Sequence, residues 1–148
     1  MTPIVIESEI RSKLLTLPAV TALVGSGDAA RIRAGELAQK DTLPAVTIEL
    51  ETELHDSEDL TGSGGLISAM LVVSSHAEKY SQARQLCQAI AYGGTDPSTG
   101  LSNWSTDDDS IQCLIESTAR RLVALNDAAD GRKNVFETRY RVTYREPG

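Results

Sequence analysis

The stretch LISAMLVVSSHAEKYSQARQLCQAIAY, residues 66–92, changes its apolar periodicity half-way along, and this change decides the fold class. Its first part, Leu66 to Ser75, alternates as a strand does, with one face made of Ile67, Ala69, Leu71 and Val73. Met70 and Val72 make the second face partly apolar, so this strand is expected to be central or covered on both sides. Its second part, Glu78 to Tyr92, has helical spacing and ends at Gly93-Gly94.

Further strands are predicted on both sides of this strand and helix. Val46 to Leu50 alternates strictly, and Ile111 to Glu116 and Val135 to Arg145 alternate after the helix. Upstream, apolar residues recur at helical spacing from Ile6 to Leu17, Pro18 interrupts the pattern, and a second short helical turn follows to Val24.

Two segments have a less regular pattern. Ala30 to Arg33 is expected to be a short extended piece, and residues 119–133 are expected to form either a helical turn through Leu122 to Leu125 or a loop. The order helices, strands, helix, strands predicts a single α+β domain over residues 1–148, in which helices pack on an antiparallel or mixed sheet of about four strands. It does not support a doubly wound fold.

Composition excludes several classes of function. The chain of 148 residues has a net charge of −7, which argues against nucleic-acid binding because phosphate neutralisation needs a basic face. Cys87 and Cys113 have no metal-knuckle spacing and are expected to act as small core hydrophobes. No apolar run is long enough to span a membrane and no signal pattern begins the chain, so synthesis in the cytoplasm with no membrane partner is the expectation.

The glycine-rich stretch DLTGSGG, residues 59–65, resembles in composition a loop that wraps phosphate. A phosphate loop leads into a helix, whose free N–H groups face the anion, and it usually carries a lysine. Here a strand follows and acidic residues precede, so Coulomb repulsion would oppose an anion. The stretch therefore predicts the tip of a β-hairpin.

No group of residues predicts catalysis. His55 and His76 are the only histidines, too few for a histidine relay or a multi-histidine metal site. The run Asp107-Asp108-Asp109 lacks calcium-loop spacing, and Asp56 and Asp59 are not held as an acid–base pair. We therefore predict no catalytic, cofactor-binding or metal-binding residue. Trp104 is interpreted as a loop aromatic that packs back onto its own core, with a partner anchor as the alternative.

Charge is distributed unevenly along the chain. Residues 1–74 carry 5 basic and 11 acidic side chains, whereas residues 75–148 carry 9 and 10. The acidic group is Glu49, Glu51, Glu53, Asp56, Glu58 and Asp59. The basic group is Arg120, Arg121, Arg132, Lys133, Arg139, Arg141 and Arg145. Two solvated faces are one interpretation, and complementary surfaces are the other.

The order of segments resembles one known family. The segments are, in order, an N-terminal helix running into LPAVTALVG, then ARIRAGEL, LPAVTIELE, a glycine hairpin, LISAMLVVSSHAEKYSQARQLCQAI and a closing ETRYRVTYR. This order is similar to that of the tail-completion or tail-terminator proteins of long-tailed bacteriophages. The resemblance spans nearly the whole chain. It implies a structural α+β subunit, made in the bacterial host cytoplasm, that forms a ring, commonly a hexamer, at the tail–head junction of the virion. The ring caps the tail tube, stops its growth and joins it to the head connector proteins.

Segregated charge predicts how subunits of such a ring would meet. We expect an acidic hairpin arm to contact the basic outer face of the last strand on a neighbouring subunit. The predicted interface residues are Glu51, Glu53, Asp56, Glu58 and Asp59 on the arm, and Arg139, Arg141 and Arg145 on the strand. Two other classes stay open: a small carboxylate-dependent metalloenzyme built on Asp56, Asp59 and Asp107 to Asp109, and a cellular module whose acidic arm binds a basic protein.

Overall fold

The computed structural model describes residues 5–35, 42–56, 66–94, 99–106, 110–124 and 132–145. Its helices are α1 (Ile6–Leu14), α2 (Pro18–Val24) and α3 (Tyr80–Tyr92), with a 3₁₀ turn at Gly27–Ala29. Its strands are β1 (Ile32–Ala34), β2 (Ala45–Asp56), β3 (Leu66–Ala77), β4 (Ile111–Ala124) and β5 (Arg132–Arg145).

The strands form one mixed sheet in the order β1-β2-β3-β5-β4. β1 is parallel to β2, and the other neighbouring strands are antiparallel. The chain is thus the α+β domain predicted from the sequence, with five strands because the extended piece near Ala30 to Arg33 pairs with β2 as β1. β3 is the middle strand, as its two partly apolar faces predict.

All three helices pack on one face of the sheet, which we call the inner face. Its core joins Ile10, Leu14 and Val20 of the first two helices to Leu86 and Ile90 of α3 and to the alternating apolar residues of the strands. The alternation predicted for β3 is confirmed, because Ile67, Ala69, Leu71 and Val73 are all buried. Trp104 also packs against this core, in agreement with its interpretation as an intramolecular contact.

Cys87 and Cys113 are buried free thiols, as expected of small core hydrophobes. Burial raises the pKa of Cys113 to about 12 and also raises the pKa of Cys87, whose thiol lies 3.3 Å from the Thr138 hydroxyl. Neither thiol is therefore a nucleophile at neutral pH.

Two segments differ from the sequence prediction. β4 does not end at Glu116 but continues to Ala124, and Leu122 to Ala124 are extended rather than helical. The reason is pairing with β5, whose residues from Arg132 to Thr138 supply backbone partners that no local pattern reveals. β2 likewise continues past Leu50 to Asp56 because β3 pairs with it along that length. The glycine tip, residues 59–65, and residues 125–131 lie outside the described residues.

Candidate subunit interface

The face of the sheet opposite the helices, here the outer face, carries rows of residues from four strands. One row runs Thr52, Met70, Arg141 and Leu114 across β2, β3, β5 and β4, and the next runs Glu49, Val72, Arg139 and Ser117. Among exposed apolar side chains, Leu54 is 68% accessible, Leu114 53% and Leu66 41%. The outer face is thus a mixed surface of arginines and exposed leucines, which is a composition suited to contact with another protein.

Two β-bulges place carboxylates next to the arginines of this face. The pairing of β2 skips a residue between Leu50 and Thr52, and the pairing of β4 skips one between Ile115 and Ser117. The skipped residues are Glu51 and Glu116. A bulge adds a residue to one strand and re-aims its side chain, and here each bulge residue is an acid that reaches an arginine of β5.

Both arginines therefore have acidic partners inside the same chain. Arg139 Nε lies 3.0 Å from Glu51 Oε2, and Arg141 Nε lies 3.1 Å from Glu116 Oε1. The arginine side chains are 53% exposed in both pairs, so solvent screens these contacts and each is worth about 0–1 kcal/mol. A contact of Arg139 or Arg141 with a neighbouring subunit stays a prediction, and it would have to compete with these pairs.

The bulge in β2 also changes which face its later residues occupy. Before it, Val46, Ile48 and Leu50 belong to the inner face, but after it Glu53 pairs with the buried inner-face residue Ala69. Glu53 is nevertheless exposed, because it lies near the end of the sheet. Simple alternation from Val46 would have placed Glu53 on the outer face with Glu51, so the bulge puts these two residues of the predicted acidic arm on opposite faces of the sheet.

The remaining predicted interface residues are described only in part. Asp56 pairs with Leu66 at the end of β2, and Arg145 pairs with Leu66 from β5, but nothing is described of the Asp56 and Arg145 side chains. Glu58 and Asp59 lie outside the described residues. The sequence analysis missed Glu116 as a site residue, although its position opposite the basic stripe of β5 would become visible once the strands are paired.

Each edge of the sheet is covered by described residues over only part of its length. On β4, backbone bonds Cys113 N to Trp104 O (2.7 Å) and Ile115 N to Ser102 O (3.3 Å) cover the first half. On β2, β1 covers only Val46 to Ile48. A groove of about 160 Å³ lies between α3 and β4, lined by residues that include Arg84, Cys87, Tyr92, Ile115 and Thr118.

Within the described ranges, no three His, Cys, Asp or Glu side chains come together as a metal-binding group. Asp107 to Asp109 and Asp59, which the metalloenzyme alternative requires, lie outside those ranges. His76 lies in the sheet, where its Nε2 is 3.0 Å from the Thr47 hydroxyl. None of the helices in the described part of the chain is long and apolar enough to cross a membrane.

Comparison of the chain with protein-family models gives no match. Comparison with curated protein sequences gives no match either.

Proposed function

We propose that this chain is the tail terminator of a long-tailed bacteriophage or prophage, a structural subunit that forms a ring at the end of the tail tube. The ring, of about six subunits, caps the tube, stops its polymerisation and joins it to the head connector at the tail–head junction of the virion. The observation that carries the proposal is the order of segments along nearly the whole chain, from LPAVTALVG to ETRYRVTYR, which is similar to that of the tail-terminator family.

The described surface is consistent with assembly. In the described part of the chain, helices cover the inner face only, while the outer face presents Leu54, Leu66 and Leu114 to solvent beside charged pairs. A subunit that keeps leucines exposed on a sheet lowers its free energy when another protein covers them. Assembly also suits a chain with one Phe and one Trp, because association adds buried apolar area to a core made mainly of small aliphatic residues.

The proposal is tested by measuring the mass of the purified protein by light scattering, alone and mixed with its cognate tail-tube protein, with negative-stain images of the same samples. We expect rings of several subunits in at least one of the two samples, and tubes whose length stops growing once the protein is added. A monomer in both samples, with tubes that continue to grow, would contradict the proposal.

Measurements on the same purified protein distinguish the two other classes of function. A divalent ion bound at one per chain after dialysis, and lost on Asp107→Ala or Asp109→Ala, would favour the metalloenzyme. A stable monomer that binds a basic protein with a strong dependence on salt would favour the cellular binding module. Lys79→Glu, a charge reversal at an exposed position outside the acidic arm, is the matched control for the salt measurements.

A further inference from the structure

The second half of β4, Glu116 to Ala124, is a long strand edge. It pairs with β5 on one side, and on its other side none of the described residues forms a backbone hydrogen bond or ladder pair with it. The first half of the same strand is covered by residues 102–106. A strand edge of nine residues, Glu116 to Ala124, is a template for pairing with another strand.

On the opposite edge of the sheet, β2 is covered at the other end of the strands. The ladder between β1 and β2 ends at Ala34 and Ile48, whereas β2 continues to Asp56. The covered part of β2 lies at the end of the sheet near Val135, and the covered part of β4 lies at the other end, near Tyr144. Among the described residues, each edge therefore leaves unpaired the part that lies level with the covered part of the other edge.

We infer that neighbouring subunits of the assembly join by antiparallel pairing of the Glu116–Ala124 half of β4 with the Leu50–Asp56 half of β2 in a second copy of this chain. The inference rests on the ring proposed above and names the contact that builds it. β2 is antiparallel to β3, β3 to β5 and β5 to β4, so a second copy in the same orientation presents its β2 antiparallel to β4.

The register fixes how far the second copy is displaced along the strands. The midpoint of the β4 half is Arg120, which pairs with Phe136, and the midpoint of the β2 half is Glu53, which is level with Val142 through Ala69. The separation of six residue steps between Phe136 and Val142 corresponds to roughly 20 Å of strand. With this displacement β1 of one copy and residues 102–106 of the other lie clear of each other.

The displacement also sets the tilt of the strands relative to the direction of assembly. Four strands, β2, β3, β5 and β4, span about 19 Å across the sheet at roughly 4.8 Å each. A sideways step of about 19 Å with a shift of about 20 Å tilts the strands by about 45°, close to the 35–45° of closed barrels. Repeated addition therefore gives the combined sheet the strand tilt that a closed ring of strands requires.

Charge favours this pairing over a symmetric one, in which the β4 halves of two copies pair with each other. The β4 half carries Arg120 and Arg121, and its one acid, Glu116, is already paired with Arg141. The β2 half carries Glu51, which is likewise paired with Arg139, together with Glu53, which also has an interaction within its own chain, and Asp56. Pairing at the midpoints places Arg120 opposite Glu53. Pairing of the β4 half with its own copy is centred on Arg120 and places that arginine opposite itself, which is unfavourable because like charges across strands repel.

Hydrogen–deuterium exchange on the assembled protein tests the pairing directly. We expect the amides of residues 117–124 and 50–56 to exchange at least tenfold more slowly in the ring than in dilute monomer, while the amides of α1 do not change. Rings whose residues 117–124 exchange as fast as in the monomer would overturn this inference and leave the proposed function standing. Failure to form rings, alone or on tubes, would overturn both.

Charge reversals test the partner. Arg120→Glu and Glu53→Arg should each lower the fraction of assembled protein at least tenfold at about 0.1 M salt, and the double variant should recover most of it. Lys79→Glu and Glu9→Lys, reversals at exposed positions away from the two edges, should assemble as the parent does. Circular dichroism checks that each variant is folded. Normal assembly of both folded single reversals, or a mass that stops at a dimer, would overturn the inference.

Discussion

Replacement of Tyr140 by Phe is expected to stabilise the protein. Tyr140 is fully buried in the middle of β5, opposite Leu71 on β3 and Ile115 on β4. Its hydroxyl has no hydrogen-bond partner among the described residues. Burial raises the pKa of Tyr140 far above its usual value, and the nearby Thr138 hydroxyl offsets only part of the rise. Thr138 Oγ1 instead lies 3.3 Å from Cys87 Sγ and 3.4 Å from Thr118 Oγ1.

The size of the effect follows from that burial. A buried hydroxyl without a partner costs about 1–3 kcal/mol in mutational series, because it gives up its bonds to water and gains none. Tyr140→Phe keeps the ring and its packing and leaves a gap of only one oxygen atom. We therefore expect the free energy of unfolding to rise by about 1 kcal/mol, which for a chain of this length is about 3 °C in Tm.

Urea unfolding followed by the fluorescence of Trp104, the only tryptophan, measures the change. We expect a higher midpoint with an unchanged m-value, since the surface exposed on unfolding stays the same. Tyr92→Phe is the matched control: Tyr92 is 43% exposed, and the change should stay within about 0.5 kcal/mol. A loss of more than about 1 kcal/mol for Tyr140→Phe beside a neutral control would show that the hydroxyl is hydrogen-bonded in the native state and refute the reasoning.

Three further results are expected. Leu14→Ala removes a fully buried side chain and should lower the free energy of unfolding by about 2–5 kcal/mol, whereas Leu54→Ala, at a position 68% exposed, should change it by less than about 0.5 kcal/mol in the same urea assay. Because burial raises the pKa of Cys113 from 9.0 to about 12, the folded thiol keeps its proton while the unfolded one loses it, so stability should fall as pH rises above about 9, by up to about 1.4 kcal/mol per pH unit. Cys113→Val should make that fall less steep, and equal slopes for the two proteins between pH 9 and 10 would contradict the assignment. A double-mutant cycle on Arg139 and Glu51 should give a coupling of about 0–1 kcal/mol that decreases in 0.5 M salt, and a coupling above about 2 kcal/mol would mean that the pair is shielded from solvent.

Much of the local structure follows from residue patterns alone. Alternation in Val46 to Leu50 and in Leu66 to Ser75 identifies strands and their buried faces, and the 3.6-residue spacing from Tyr80 to Ile90 identifies α3, because burial of one face is a local requirement on consecutive residues. Pro18 marks the start of α2 for an equally local reason, its fixed φ and missing N–H. These elements are sufficient to predict an α+β domain.

The candidate interface depends on non-local pairing that the same patterns do not contain. The last strand, β5, lies between β3 and β4, and it is this insertion that brings Arg139 within 3.0 Å of Glu51, 88 residues earlier in the chain. The bulges at Glu51 and Glu116 exist only relative to a partner strand, so alternation read along β2 alone misplaces Glu53. β4 extends beyond Glu116 because β5 supplies its hydrogen bonds, and the edge it presents is defined by which residues β5 and residues 102–106 cover. The sequence by itself therefore determined the elements and their buried faces, whereas strand order, register and the composition of the two edges were decided by tertiary pairing, since a hydrogen-bonded ladder is a relation between segments and not a property of either one.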